Sequence, residues 1–162
     1  MTIAIAAAPT PQPNRSGMVC FNRSGQVCLI SALTKKEIFV LPKGHIEQGE
    51  ESYEAAEREF LEETGIKAVV DTPGDSLGLT SYRYCGEDVV VEWWSGLATR
   101  LSPDSRCLTD LGRTTRWVDW RVALDLLSFP DLRNMVRRAV CVEGEEDPSG
   151  PITLISEKEV IR

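Results

Sequence analysis

Residues 44–66 contain eight glutamates in a run that is bounded by glycines. A helix over residues 51–64 would place Glu59, Glu62 and Glu63 within about 100° of arc, because they stand at i, i+3 and i+4. Like charges at this spacing repel one another by roughly 0.2–0.5 kcal/mol per pair unless a cation offsets them. Carboxylate oxygens suit Mg²⁺ or Mn²⁺, and these ions commonly bind substrate phosphates as well. The spacing therefore indicates a metal site for a phosphorylated substrate, whereas composition alone would favour a solvated acidic helix.

The same stretch resembles the Nudix box, the sequence motif of the Nudix hydrolase family. Every specified position of the motif is matched in the chain, so the interpretation as a merely solvated helix becomes much weaker. The matching residues are Gly44, Glu50, Arg58, Glu59, Phe60, Glu62, Glu63, Gly65 and Ile66.

The resemblance implies a hydrolase that acts on a nucleoside diphosphate linked to another group, with water attacking a phosphorus. Glu63 or Glu62 would also activate that water, and metal ions would lower its pKa. Glu50 and Arg58 would form the pair that fixes the loop of the box against its helix. The ligands implied for Mg²⁺ (or Mn²⁺) are Glu59, Glu62, Glu63 and the carbonyl of Gly44.

Residues outside the specified positions are candidates for binding the substrate. Lys43 stands directly before the box, and Arg15 stands where family members often carry a substrate-binding arginine; a surface cation is the alternative for both. Tyr82 and Tyr84 lie in the window where the resembling dinucleoside polyphosphate hydrolases carry a tyrosine near an adenine. At i and i+2 of a strand they share one face, which either lines a cleft or packs in the core. His45 lies in the box loop, where packing is favoured over a catalytic role.

One departure concerns the acid outside the box. Many relatives carry a glutamate shortly before the strand that reads RWV here, but residues 113–115 of this chain are Arg, Thr and Thr. The nearest acid is Asp110, and Glu92 on a central strand is another candidate for a base.

The elements that must position these residues follow from the hydrophobic pattern. The acidic helix should begin near Ser52, a good N-cap type, and end at Gly65. Two further helical segments follow Asp119, at 121–127 and 131–142. This order predicts an α/β protein, a Nudix-type α/β/α sandwich with a central mixed sheet. Strands are predicted at 17–22, 26–33, 37–41, 66–70, 77–84, 88–98 and 115–118.

Length and composition indicate the extent of this domain, its partners and its compartment. We expect a disordered tail at 1–14, a Nudix hydrolase domain at 15–142, and an acidic linker with a C-terminal extension at 143–162. The net charge of −7 argues against a nucleic-acid partner or an anionic membrane. Five cysteines without a CxxC pair indicate buried free thiols in a reducing compartment, and hence a cytoplasmic protein.

Several functions are compatible with the box. The favoured substrate is a small-molecule nucleotide, a dinucleoside polyphosphate such as diadenosine tetraphosphate. A nucleoside triphosphate pyrophosphatase and a diphosphoinositol polyphosphate hydrolase are alternatives; the latter would need a basic cluster, and Arg133, Arg137 and Arg138 form the only dense basic patch in the sequence. A non-catalytic nucleotide-binding regulator is the contrasting class, although such proteins usually lose box carboxylates.

Overall fold

The computed structural model describes residues 8–101 and 113–141, and for Leu101 it describes the backbone alone. The predicted extension at 143–162 and Asp110 lie outside these residues. The elements in chain order are β1 Arg15–Phe21, β2 Gln26–Ser31, β3 Phe39–Val40, β4 Lys43–His45, α1 Ser52–Thr64, β5 Ile66–Val70, β6 Gly78–Tyr84, β7 Glu87–Leu101, β8 Thr115–Asp119, α2 Trp120–Leu126 and α3 Pro130–Val140.

The strands of the described part form one mixed sheet with β1 and β7 at its centre. The main order is β3-β2-β1-β7-β5, while β4 pairs with β1, β6 with β7 and β8 with β2. Strands β1 and β7 run parallel, and the other pairs run antiparallel. The predicted fold class, an α/β protein with a mixed sheet between helices, is confirmed. No helix within the described residues is long and apolar enough to cross a bilayer.

Each face of the sheet has its own apolar core. Trp93 and Trp94 follow one another on β7 and therefore point to opposite faces. Trp94 packs with Phe60 of α1, whereas Trp93 packs with Met135 of α3. Phe60 is fully buried, so truncating it to alanine would cost about 3–5 kcal/mol. These two cores fix α1 on one side of the sheet and α2 with α3 on the other.

The thiols divide between core and surface. Cys20 and Cys28 are buried as expected, and desolvation by burial raises the pKa of both, that of Cys28 to about 12. Cys85 is exposed in the turn between β6 and β7 and has a positive φ of 51°. The expectation of uniformly buried thiols is thus wrong for Cys85, because a tight hairpin turn leaves no core to receive its side chain.

The ends of α1 lie close to the predicted positions. The helix begins at Ser52, but its N-cap is Glu51, whose N–H donates to the Glu54 carboxylate at 3.0 Å. The Ser52 hydroxyl instead accepts the indole N–H of Trp94 at 3.1 Å and ties the helix to β7. The predicted end at Gly65 is confirmed by its left-handed φ of 71°.

Strand β4 was not predicted, because Pro42 was expected to end the third strand without a successor. The proline carbonyl accepts the N–H of Met18 at 3.1 Å, and the next three residues pair with β1 in the register Ser16↔Gly44. This short strand places the beginning of the box directly beside α1.

The contacts of the N-terminal segment begin just before β1. The backbone N–H of Asn14 donates to the Val90 carbonyl at 3.0 Å, and its side-chain oxygen accepts the Val90 N–H at 3.0 Å. Ordered contacts therefore start at least one residue before the proposed domain start at 15.

Candidate active site

The acidic face of α1 is partly covered by β4. The side chains of Glu59 and Glu63 are each 14% exposed, whereas that of Glu62 is 49% exposed. A Cβ atom at Gly44 would overlap the carboxylate of Glu59. Glycine at this position therefore leaves room for the Glu59 carboxylate in the place where it contacts Arg58.

Arg58 ties the box loop to the helix. Its Nε donates to Glu50 Oε1 at 2.8 Å and its Nη2 to Glu50 Oε2 at 3.1 Å, a two-pronged ion pair. The same Nη2 donates to the carbonyl of His45 at 2.8 Å. The hydrogen bonds from Arg58 lower the pKa of Glu50, against a smaller opposing effect of desolvation. The structure thus brings Glu50 and Arg58 together. His45 contributes its backbone carbonyl to this contact, while its imidazole is exposed.

The remaining nitrogen of Arg58 contacts two further carboxylates. Nη1 donates to Glu59 at 2.9 Å and to both oxygens of Glu62 at 3.2 Å. The hydrogen bonds to Glu50 have the largest effect on the pKa of Arg58 and raise it. Those to Glu59 and Glu62 raise it further. One guanidinium therefore neutralises part of the charge that Glu50, Glu59 and Glu62 bring together.

Glu63 has a separate set of partners. The Lys43 backbone N–H donates to its Oε2 at 3.0 Å, and Arg113 Nη1 donates to its Oε1 at 2.6 Å. Desolvation by burial raises the pKa of Glu63 to about 7, although the charges of Arg113 and Lys43 lower it and that of Glu59 raises it further. A carboxyl with this pKa exchanges its proton close to neutral pH.

The donor set suits a hard divalent cation. In the described residues, no three His, Cys, Asp or Glu side chains are gathered closely enough to hold an ion, since Glu59 and Glu62 face Arg58 and Glu63 faces Arg113. The ligands available on this face are nonetheless all oxygens, which Mg²⁺ and Mn²⁺ prefer. The buried Glu63 keeps a raised pKa, so the existing cations do not offset its desolvation. The residues therefore fit a divalent ion, which would compete with these ion pairs.

The candidate substrate contacts occupy different environments. Lys43 Nζ lies 5.5 Å from the ring centroid of Tyr82, which is buried in the core beneath α2 and α3. Tyr84 shares that face of β6 but is 53% exposed. Arg15 Nη1 donates to the carbonyl of the preceding Asn14 at 3.1 Å. Lys43 thus contacts Glu63 through its backbone N–H and Tyr82 through its ammonium, whereas Tyr84 offers its ring to solvent.

The sequence interpretation missed the role of Arg113 as the partner of Glu63. In the sequence, residue 113 stands out only because the glutamate that many relatives carry is absent from this region. The departure itself was the available signal, since an arginine within reach of a carboxylate cluster is a natural counterion. Glu92 is half-buried on β7, on the same face as Trp94.

The fold and the carboxylate face define a class of α/β/α sandwich proteins in which a glutamate-rich helix lies against a glycine of the adjoining strand. Residues 11–139 match the family model described as the NUDIX domain. The chain belongs to this family, which confirms the resemblance found in the sequence.

Similar proteins carry more than one activity in their names. An RNA pyrophosphohydrolase from Azorhizobium caulinodans is 42% identical over 86 residues, which cover 49% of this chain and 50% of that protein. The chain thus spans about half the length of this relative. A bis(5'-nucleosyl)-tetraphosphatase [asymmetrical] from Caenorhabditis elegans is 25% identical over 127 residues, covering 76% of this chain and 91% of that protein. The crystal structure of a C. elegans Ap4A hydrolase binary complex is similar in fold, with a TM-score of 0.58, 18% identity, and coverage of 76% of this chain and 92% of that one.

Proposed function

We propose that the chain is a divalent-metal-dependent hydrolase that cleaves a pyrophosphate bond in a nucleoside diphosphate-linked substrate, and that this substrate is a dinucleoside polyphosphate such as diadenosine tetraphosphate. The observation that carries the proposal is the acidic face of α1. Glu59 lies against Gly44, and Glu63 lies between the cations Lys43 and Arg113. Carboxylates that bind metal beside cations that attract phosphate are the two parts that phosphoanhydride hydrolysis requires.

Each residue of the site has its own role in the proposed reaction. Glu59, Glu62 and Glu63 supply carboxylate ligands for Mg²⁺ or Mn²⁺, with the Gly44 carbonyl as a further ligand. The ion supplies neutralisation of phosphate charge and acidification of a bound water. Glu63 is suited to take the proton of the attacking water because burial raises its pKa to about 7, with Glu62 as the alternative base. Among the remaining residues of the site, Glu50 and Arg58 hold the loop in place.

The substrate assignment rests on the aromatic and basic side chains that the resemblance to the dinucleoside polyphosphate hydrolases singles out. Lys43 and Arg15 would contact phosphate oxygens, and the exposed ring of Tyr84 would stack on a base. The buried Tyr82 would hold the Lys43 ammonium over its ring. The C. elegans relative named as a tetraphosphatase supports this choice, because the match covers most of both chains.

A second candidate is pyrophosphate hydrolysis on RNA, which the Azorhizobium relative favours through its name and its 42% identity. The net charge of −7 favours a small nucleotide over a long polyanion. The diphosphoinositol alternative is weaker, because Arg138 already donates to the Leu77 carbonyl and Arg137 to Asn134. We also propose a cytoplasmic location, to which the free thiols Cys20 and Cys28 point.

The test is a substrate panel with Mg²⁺, in which products are separated by chromatography. The panel contains diadenosine tetraphosphate, nucleoside triphosphates and an RNA with a 5′-triphosphate. We expect the fastest turnover with diadenosine tetraphosphate and none after chelation of the metal. Glu63→Gln should lower kcat by about 100-fold or more, because it loses a charged ligand and a base.

The matched control is Glu37→Gln, since Glu37 is an exposed acid outside the site. This variant should keep the wild-type rate. No turnover across the panel would refute the hydrolase, and full activity of Glu63→Gln would refute the metal and base roles of Glu63. Cleavage of the RNA that is faster than cleavage of diadenosine tetraphosphate would favour the second candidate, pyrophosphate hydrolysis on RNA.

A further inference from the structure

A buried arginine lies at the inner end of the carboxylate face. The side chain of Arg113 is only 8% exposed and bonds Glu63 through Nη1. Its backbone position is set by Thr114, whose N–H donates to the Ser31 hydroxyl at 2.8 Å and whose carbonyl accepts the Ser31 N–H at 2.9 Å. Strand β2 therefore holds this arginine beside Glu63.

The Nε atom of Arg113 is buried but has no hydrogen-bond partner in the part of the chain that the structure describes. A buried donor without an acceptor is rare and costs free energy, so it marks a place for an acceptor from outside the described residues. Glu63 holds Nη1 and thereby fixes the plane of the guanidinium while Nε remains available.

The charges nearby define which acceptor fits. Lys43 and Arg113 both act electrostatically on Glu63, so two cations lie close to one carboxylate. Two neighbouring cations favour an anionic oxygen as the further acceptor, although Glu59 also lies close by, and guanidinium groups match phosphate oxygens particularly well. A neutral acceptor would gain less from the two cations.

We propose that Arg113 is a substrate-binding residue whose Nε–H donates to a phosphate oxygen, while Glu63 holds the guanidinium in place through Nη1. This inference rests on the proposed function and adds a specificity-determining contact to the same site. Arg113 thus serves phosphate binding, and Glu63 has a positioning role in addition to its proposed metal and base roles.

The first test is nuclear magnetic resonance of the arginine Nε–H groups in the wild-type protein. Pyrophosphate in the presence of Mg²⁺ is the probe, and the Arg113 signal is assigned by its loss in Arg113→Lys. We expect the Arg113 Nε–H resonance to shift on addition of pyrophosphate, while that of the exposed Arg116 stays unchanged. An unchanged Arg113 resonance at saturating pyrophosphate, or no binding of pyrophosphate, would overturn the inference.

The second test compares pyrophosphate affinity by calorimetry. Arg113→Met should raise the Kd about tenfold or more, Arg113→Lys should restore part of the affinity through its charge, and the control Arg116→Met should bind like wild type. Equal affinity of a folded Arg113→Met would contradict the proposal. If Arg113→Met does not fold, equal affinity of Arg113→Lys decides against it. Both measurements are independent of turnover, so failure of the nucleotide panel refutes the hydrolase without deciding the role of Arg113.

Discussion

At the residue scale, the carboxylates of α1 differ because their partners differ. Arg58 bonds Glu50, Glu59 and Glu62, whereas Arg113 bonds Glu63 among the residues that the structure describes. Charge-assisted hydrogen bonds of this kind are roughly twice as strong as neutral ones. The two arginines therefore offset part of the charge repulsion on the acidic face of the helix.

Replacing Arg58 by methionine should loosen the loop at 45–50. The variant loses the bonds to Glu50 and to the His45 carbonyl, and each such bond contributes about 1–3 kcal/mol. Amide hydrogen exchange of this loop should accelerate at least about tenfold, while β1 exchanges as before. The control is Arg83→Met, which removes an exposed ion pair to Asp88. Unchanged exchange at 45–50 would show that Arg58 does not hold the loop.

The raised pKa of Glu63 predicts a pH-dependent stability in the metal-free protein. Between its ordinary value of 4.5 and about 7, the folded state holds the proton more tightly than the unfolded state does. The free energy of unfolding should therefore fall as pH rises through this window, by about 1–3 kcal/mol relative to Glu63→Gln. Urea unfolding at a series of pH values in a chelating buffer measures this difference. A difference that is flat or rises with pH would contradict the buried, uncompensated state of Glu63.

At the element scale, the site is made by the approach of β4 to α1. The sequence predicted α1 to within one residue, because Gly65 and the spacing of the glutamates are local signals. It did not predict β4, since three residues after a proline carry no periodicity and their strand geometry comes from pairing with β1. The partnership of Arg113 with Glu63 was missed for the same reason, because it joins residues that are 50 positions apart.

Gly44→Ala tests this approach directly. The added Cβ would overlap the Glu59 carboxylate, so this side chain must leave its place beside Arg58, or β4 must move away from α1. We expect a loss of about 1–3 kcal/mol in the free energy of unfolding, measured by urea denaturation. Gly74→Ala is the matched control, because a Cβ at Gly74 meets nothing within 4 Å. Equal stability of the two variants would mean that the position of the Glu59 carboxylate does not require glycine at residue 44.

At the scale of the whole molecule, one sheet carries two cores, and the site lies on the edge of one of them. The order of strands and helices in the sequence predicted this arrangement in outline, since it implied a mixed sheet between helices. The division of the chain into a tail at 1–14, a domain at 15–142 and an extension at 143–162 stays a prediction. The family match over 11–139 supports a domain of this extent.

Removal of residues 143–162 should leave the domain intact. The described residues of both cores all precede 141, so the shortened chain keeps the contacts among them. We expect the midpoint of thermal unfolding to change by less than about 4 °C, which corresponds to roughly 1 kcal/mol. Differential scanning calorimetry of the full and shortened chains measures this. A much larger fall would assign the extension to the folded domain.

The central claim is that the carboxylates of α1 bind the metal ion that hydrolysis needs. Electron paramagnetic resonance of Mn²⁺ bound to wild type and to Glu59→Gln tests it most directly, because it reports the ion itself. We expect Glu59→Gln to weaken Mn²⁺ binding at least about tenfold, since the substitution removes a charged ligand. Mn²⁺ binding of equal affinity in Glu59→Gln and wild type would contradict it.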